Sequence, residues 1–525
     1  MKELKFEELT VKQKLGMVMV GQIKGPGTEE NTEYALEMIR NHALGGIWIN
    51  PKLANAAEVM ARVKEAADYP ILIMCDAEEG IGGHYIGRQN PIGCLGETGP
   101  AYAFGKVQAV TARKLGYNVT CNLILDRAFP KSMCGATSRC LGGDKYKVAE
   151  IGAAIARGMH DGGVLVIGKH YPSAPFIGDS HMCETLSDVT EEELREDCLY
   201  PYLKLMEEGL LDGVMSSHRR IPKIDPDFPA TFSEKILGII REQGFEGFII
   251  TDALSMMGVV AKFGRRESKG LAIARGNDLA LPFHGNQESY EAICESYEQG
   301  VLTEERLDEA VRRVLEAQHK VMVLAEPKYT ELSEHDMEEF DRINRDSIYA
   351  KTDEGISVAL PKDRTHLFVV LKSLRELYWS DKETADQLAK DWYKPYEIQN
   401  KLKELYPNSG VMTVYEFPDS SEMHDVLEES TYYDDVVFIT YNTGAAYIGR
   451  ECLTSRVVSL IEALQVTNRV STIVHFGNPF VLEELVHIPR VLIGGVSADS
   501  VNYALDILAG KYPAKGCLSY DVKLK

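Results

Sequence analysis

Thirteen residues, Lys169-His-Tyr-Pro-Ser-Ala-Pro-Phe-Ile-Gly-Asp-Ser-His181, follow the apolar run 164–167 and gather an ammonium, two imidazoles, a carboxylate and two prolines. A loop that only joins two elements rarely holds so much titratable chemistry. Within it, Asp179 and His181 stand two residues apart. Extended backbone turns such side chains the same way, so the carboxylate can accept from one ring nitrogen and orient the other. That favours the protonated ring and makes it a proton donor near neutral pH. A loop histidine making one structural hydrogen bond is the plainer reading. Asp252 closes the apolar run of Gly247-Phe-Ile-Ile-Thr-Asp-Ala-Leu-Ser-Met-Met-Gly258. A carboxylate there is partly desolvated and keeps its charge only beside donors or a cation. It suits a nucleophile that forms a covalent intermediate; capping the next helix is the competing role.

Other residues could hold a polyhydroxylated substrate. Lys169 and His170 present donors side by side at a strand end. Asp76, in Met74-Cys-Asp-Ala-Glu-Glu-Gly80, can accept from two vicinal hydroxyls. Arg139, in Ser138-Arg-Cys-Leu-Gly-Gly-Asp144, can meet a sugar oxygen or a carboxylate. Taken alone, each of these also reads as a structural salt-bridge residue. Nucleophile, proton donor and polar floor together are the parts of a glycosidase. Phosphate-binding Gly-x-x-x-x-Gly-Lys-Ser/Thr, a dinucleotide Gly-x-Gly-x-x-Gly after the first strand, His-Glu-x-x-His and paired-cysteine zinc spacings are all missing from the sequence.

These residues need elements to position them. Short apolar runs at 16–22, 45–50, 70–76, 119–126, 164–170, 213–218, 247–252 and 278–283 alternate with stretches of helical period. Thr190 and Glu193 have capping-box spacing, Ser233 is placed to cap another helix, and 303–323 puts Leu307, Val311, Val314 and Leu315 on one face. Eight strand–helix units predict a (β/α)8 barrel. A doubly wound sheet would alternate too. The barrel is favoured because Asp76, Asp126, Lys169–His170, Ser217–His218 and Asp252 all collect at the C-terminal ends of the runs, where barrel enzymes build their sites.

Residues 326–354 are charged and read as a partly helical linker. From 355 to 525 the alternation resumes, with strands expected at 366–371, 411–417, 435–441, 472–476 and 491–494, predicting an open α/β sandwich. The catalytic barrel is thus assigned to 1–325. With 525 residues, two domains are the natural expectation. A net charge of −22 argues against nucleic-acid and anionic-membrane partners. No run approaches the length of a membrane span, and the charged start MKELKFEELT is unlike a signal peptide, so the chain reads as cytoplasmic. Ten scattered cysteines, with Cys75 and Cys121 inside strand-like runs, read as buried thiols.

In this order, Asp76–Gly80, Arg139–Gly142, Lys169–Pro172, Asp179–His181 and Thr251–Met256 resemble the motifs of glycoside hydrolase family 3, specifically its β-N-acetylglucosaminidase branch. The segments 214–218, 229–233, 244–247 and 475–481 resemble it as well. The resemblance implies a barrel followed by a sandwich, and hydrolysis with retention. It implies Asp252 as nucleophile, His181 with Asp179 as acid/base, and Asp76, Arg139, Lys169, His170 and Met256 as substrate contacts. It calls for neither metal nor cofactor. His84 stands where the family places a sugar-binding arginine, and Ser173-Ala-Pro replaces its Gly-His-Gly. Both departures bear on which sugar is taken. An imidazole in place of a carboxylate acid/base does not repel phosphate, so phosphorolysis to a sugar 1-phosphate stands beside hydrolysis. A non-catalytic sugar-binding protein is the third reading. For the second domain, covering the barrel mouth, contacting the aglycone and self-association all stay open.

Overall fold

In a computed structural model, described over residues 1–23, 29–129, 139–176, 178–372, 394–442 and 453–525, the chain divides into two compact units. The first comprises Met1–His84, Thr98–Arg127 and Asp144–Glu339; the second, Tyr85–Glu97, Ala128–Gly143 and Phe340–Lys525.

The first unit is built on seven strands: β1 (Val20–Ile23), β2 (Gly46–Ile49), β3 (Leu72–Cys75), β4 (Val119–Ile124), β5 (Leu165–Tyr171), β6 (Gly213–Ser216) and β7 (Phe248–Thr251). They lie in chain order, each parallel to the next. The eighth apolar run closes the sheet. Leu279 bridges Ile250 and Ala280 bridges Met19, both in parallel sense. The Thr251 N–H donates to the Leu279 carbonyl at 3.0 Å, and the Val20 N–H to that of Ala280 at 2.9 Å. The structure is therefore the expected (β/α)8 barrel.

Every second strand residue turns inward, as a pleated strand requires. Leu72 and Met74, Val119 and Cys121, Leu165 and Ile167, Phe248 and Ile250, and Leu279 and Leu281 make one buried cluster. Removing each such aliphatic or aromatic side chain from water contributes about 1.5–3 kcal/mol. Cys75 and Cys121 are buried free thiols, and burial pushes both up in pKa. The anticipated caps form: the Glu193 N–H donates to Thr190 Oγ1 at 3.2 Å, the Thr190 N–H to Glu193 Oε2 at 2.8 Å, and the Ile236 N–H to Ser233 Oγ at 3.2 Å.

Asp278, fully buried at the start of the eighth run, ties three helical guanidinium groups to it. Arg241 and Arg306 approach its oxygens at 2.6 and 2.7 Å, Arg313 at 3.3 Å, and the Ile249 N–H donates to Oδ2 at 2.9 Å. Breaking the cluster takes from Arg241 the carboxylate it pairs with, while Arg306 and Arg313 keep Glu309 at 3.0 and 2.7 Å, and losing one partner of a largely buried pair costs more than the pair contributes when intact. Asp278→Ala is expected to lose about 3–5 kcal/mol of stability, read as a lower urea midpoint for the barrel.

The second unit holds a six-stranded sheet of β8 (Tyr349–Thr352), β9 (His366–Lys372), β10 (Gly410–Tyr415), β11 (Asp435–Asn442), β12 (Val470–Gly477) and β13 (Arg490–Gly494). The order is β8-β13-β12-β11-β9-β10; β8 is antiparallel to β13 and the rest are parallel. Separate apolar clusters cover its two faces, one around Phe368, Val474 and Leu505 and the other around Phe438, Leu460 and Ile473. That is the expected sandwich, with an extra edge strand contributed by residues read as linker. Among the described residues no helix is long and apolar enough to cross a membrane.

Candidate active site

The C-terminal ends of the barrel strands carry the polar groups. Lys169, near the end of β5, is 2 % exposed, and its Nζ lies 2.7 Å from Asp76 Oδ1 and 3.0 Å from Glu78 Oε1. Two carboxylates pair with the ammonium in a dry position. The Asp76 side chain is 54 % exposed, so one of its oxygens serves Lys169 while the group stays open to a ligand.

His170 donates its Nδ1–H to Asp126 Oδ2 at 2.6 Å. Asp126, just past β4, is also held by Arg219 at 2.7 Å. Burial pushes the Asp126 carboxyl up, but the Arg219 and His170 charges outweigh it and hold the group well below the usual carboxylate range. Arg219 further donates to the Ala174 carbonyl at 3.1 Å and lies over the Phe176 ring. Arg219, Asp126 and His170 thus form a chain that fixes one imidazole through its Nδ1.

Asp252 follows β7 directly and is half-buried. Its N–H donates to the Ser216 carbonyl at 2.9 Å, and its Oδ1 accepts the Ala253 N–H at 2.7 Å. Burial alone would raise its pKa. The His170, His218 and His181 imidazoles and the Ala253 N–H pull the other way, and the net result is a lowered value. His218 is buried after β6 and donates Nε2–H to the Ala253 carbonyl at 3.0 Å, bracing the peptide beside Asp252. Its Nδ1 pairs with the Thr231 hydroxyl at 2.8 Å. Burial lowers the His218 pKa, against the opposing pull of the Asp252 charge.

Asp179 and His181 pair, though through a turn and not the extended backbone expected of them: the Met182 and Cys183 N–H groups both donate to the Asp179 carbonyl at 2.9 Å. The carboxylate is 4 % exposed and accepts both the His181 Nδ1–H at 2.8 Å and the His181 backbone N–H at 3.0 Å. The ring itself is one-third exposed. Two backbone bonds seat this loop on the segment after Asp252: Met257 N–H to the His181 carbonyl at 3.3 Å and Gly258 N–H to that of Ser180 at 3.0 Å. The approach needs glycine, since a Cβ on Gly258 would come within 2.9 Å of the Ser180 and Cys183 carbonyl oxygens. The turn before the pair also uses glycine, with Gly178 at φ 104°. Ile177 lies outside the described residues.

Asp252, His170, His181 and His218 are therefore brought within one another's electrostatic reach. The arrangement sets a carboxylate whose pKa is lowered against an imidazole whose orientation is fixed through Nδ1. The remaining expected residues are placed less directly. Met256 is buried at the foot of the helix Met257–Phe263. His84 is half-buried, with its pKa lowered by burial, and its carbonyl accepts from Gln108 Nε2 at 3.4 Å. Arg139 is half-buried in the second unit, where Ala128 N–H donates to Gly142 O and Gly143 N–H to Ser519 O, each at 2.9 Å. Sequence reasoning passed over Glu78, Arg219 and the bracing role of His218. The signal for Arg219 was present, an arginine directly after the polar cluster ending an apolar run.

Comparison with known proteins supplies a family. Residues 6–317 match the glycosyl hydrolase family 3 N-terminal domain. A β-hexosaminidase of Hydrogenovibrio crunogenus is 34 % identical over 174 residues, 32 % of this chain and 48 % of that protein, so the match spans about half of the relative's length. A glycoside hydrolase family 3 β-N-acetylglucosaminidase from Paenibacillus sp. superposes with a TM-score of 0.82 at 24 % identity, over 98 % of this chain and 100 % of its own. A β-glucoside phosphorylase superposes at 0.81 with 21 % identity, over 98 % and 95 %.

Proposed function

The chain belongs to glycosyl hydrolase family 3, and from that premise we propose that it is a retaining, exo-acting β-glycosidase acting on β-N-acetylglucosaminides. The observation that carries the proposal is the convergence of Asp252 and the Asp179-held His181, locked together by the backbone pairing of 180–181 with 257–258.

In the first step an Asp252 carboxylate oxygen attacks the anomeric carbon while His181 Nε2–H protonates the departing glycosidic oxygen. The bond to the aglycone breaks, and a glycosyl ester of Asp252 forms. His181 is then neutral and takes a proton from water, whose oxygen attacks the same carbon and releases Asp252 with overall retention. Asp179 steadies the imidazolium in the first step and holds the ring's orientation in both. Asp76, Lys169 and His170 serve the sugar hydroxyls. Lys169 reaches them through its hold on Asp76, and His170 through Nε2, the ring nitrogen that does not face Asp126. Arg139, His84 and Met256 stay in the proposal as further substrate contacts. His84 in place of the family's arginine supports a shifted sugar preference.

Phosphorolysis is the second reading, supported by the acid/base being an imidazole and by the likeness to a β-glucoside phosphorylase. In that case phosphate oxygen, rather than water, attacks the glycosyl ester and no proton need be removed. Incubation with 4-nitrophenyl β-glycosides of N-acetylglucosamine, N-acetylgalactosamine, glucose and xylose, with and without phosphate, separates the possibilities. Free N-acetylglucosamine of retained configuration is expected in both conditions. Sugar 1-phosphate formed only with phosphate would replace hydrolysis by phosphorolysis. No turnover on any glycoside would overturn the enzyme assignment.

A further inference from the structure

If His181 protonates the departing oxygen, whatever that oxygen carries must lie against the residues around the imidazole. Two large apolar side chains there are left open to solvent: Met182 at 52 % and Met257 at 46 % relative exposure. Met182 follows His181 directly. Met257 belongs to the other element, and its N–H donates to the His181 carbonyl at 3.3 Å. The neighbouring Gly258–Ser180 contact admits no Cβ, so the two elements cannot slide apart without losing both bonds. Two exposed methionines from separate segments are thereby joined, through main-chain bonds, at the residue that carries the imidazole.

Such side chains have a distinct chemistry. Methionine is unbranched and polarizable, adapts to irregular apolar shapes and contacts aromatic rings favourably. Its sulfur is only a weak acceptor. A hydroxyl-rich aglycone would give up water for a surface that cannot replace its hydrogen bonds. An aryl or alkyl group would cover both thioethers and gain from doing so.

We infer that Met182 and Met257 form the aglycone-facing surface of the site and select an apolar leaving group, aryl or alkyl, over a second sugar ring. The inference rests on the reading of His181 as the proton donor. Both side chains are exposed, so replacing them leaves the core untouched.

The test compares wild type with Met182→Ser, Met257→Ser and the double variant on two substrates with the same sugar. One is the 4-nitrophenyl β-glycoside. The other is the β-glycosyl fluoride, whose leaving group is too small to meet either methionine and departs with little need of an acid. The double variant is expected to lose about tenfold in kcat/KM on the aryl glycoside, the scale of burying one such side chain, and to match wild type on the fluoride. A second readout is transfer from the glycosyl-enzyme to 1-hexanol against glycerol. Wild type should favour hexanol, and the double variant should lose that preference. Unchanged aryl kinetics, or equal losses on both substrates, would overturn the inference while leaving the glycosidase reading intact. Wild type inert towards both substrates would overturn that reading and this inference with it.

Discussion

Asp252→Ala is expected to lower kcat on an aryl β-N-acetylglucosaminide by roughly four to six orders of magnitude, since removing a covalent nucleophile eliminates a whole route rather than one interaction. The variant should still fold, because Asp252 ends a strand whose ladder runs through backbone groups: its own N–H to Ser216 O and the Thr251 N–H to Leu279 O. Sugar binding should survive, since Asp76, Lys169 and His170 are held by other partners. The vacated volume lies beside imidazoles that now lack their anion. Azide should therefore enter, attack the anomeric carbon once and release an α-glycosyl azide, with partial recovery of rate. Near-normal turnover without azide would end the nucleophile assignment.

The same residue sets the acid side of the pH profile. Catalysis needs Asp252 ionised, and its pKa is lowered, so the acid limb of activity should lie below the ordinary carboxylate range. His170 is the largest of the charges that lower it. His170→Gln removes that charge, lets the carboxyl pKa rise and should move the acid limb of kcat/KM to higher pH. A limb that stayed in place would mean that another group titrates there.

The barrel was legible in the sequence because its strands are buried on both faces and interrupted by polarity only at one end. Asp76, Asp126, His170, His218 and Asp252 mark that end in the third to seventh of the eight runs. The closing contact of the eighth run was less visible, since only Leu279 and Ala280 make the bridges and no long strand announces them. β8 escaped notice for a different reason. Tyr349-Ala-Lys-Thr is a half-buried edge strand, and edges carry mixed residues that lack the apolar run of a central strand. The grouping of Tyr85–Glu97 and Ala128–Gly143 with the C-terminal half depends on contacts hundreds of residues apart, such as Cys517 N–H to Cys94 O. Local periodicity holds no trace of those.

The chemistry divides in the same way. Asp179 and His181 could be paired from their closeness in the chain, but the extended backbone expected of them is a turn, in which the carboxylate accepts from both the backbone and the ring of His181. The Arg219–Asp126–His170 chain joins three separate strand ends, and only the folded barrel brings them together. Lys169 shows where a motif underdetermines a role. Its place beside His170 suggested a direct sugar contact, yet the ammonium is buried between Asp76 and Glu78 and acts first on those carboxylates.

His181→Ala should separate substrates by their leaving groups. Proton donation matters in proportion to the basicity of the departing oxygen, and general acid catalysis is worth about 10²–10⁴-fold. An alkyl or unsubstituted phenyl glycoside should lose most of that range. The 2,4-dinitrophenyl glycoside, whose phenolate leaves unaided, should keep near-normal rates of glycosyl-enzyme formation and accumulate the intermediate, because the second step still lacks its base. Asp179 acts through His181, so its variants should grade the effect. Asp179→Asn keeps an oxygen to accept the Nδ1–H but removes the charge that favours the imidazolium; a loss of about tenfold is expected. Asp179→Ala also frees the ring to turn away from Nε2 donation and should approach the His181→Ala loss. Pre-steady-state bursts on the dinitrophenyl substrate, together with the dependence of kcat/KM on leaving-group pKa, read these effects directly. A uniform loss across all leaving groups would mean that His181 positions the substrate instead of protonating it, and the proton donor would have to be sought among other residues.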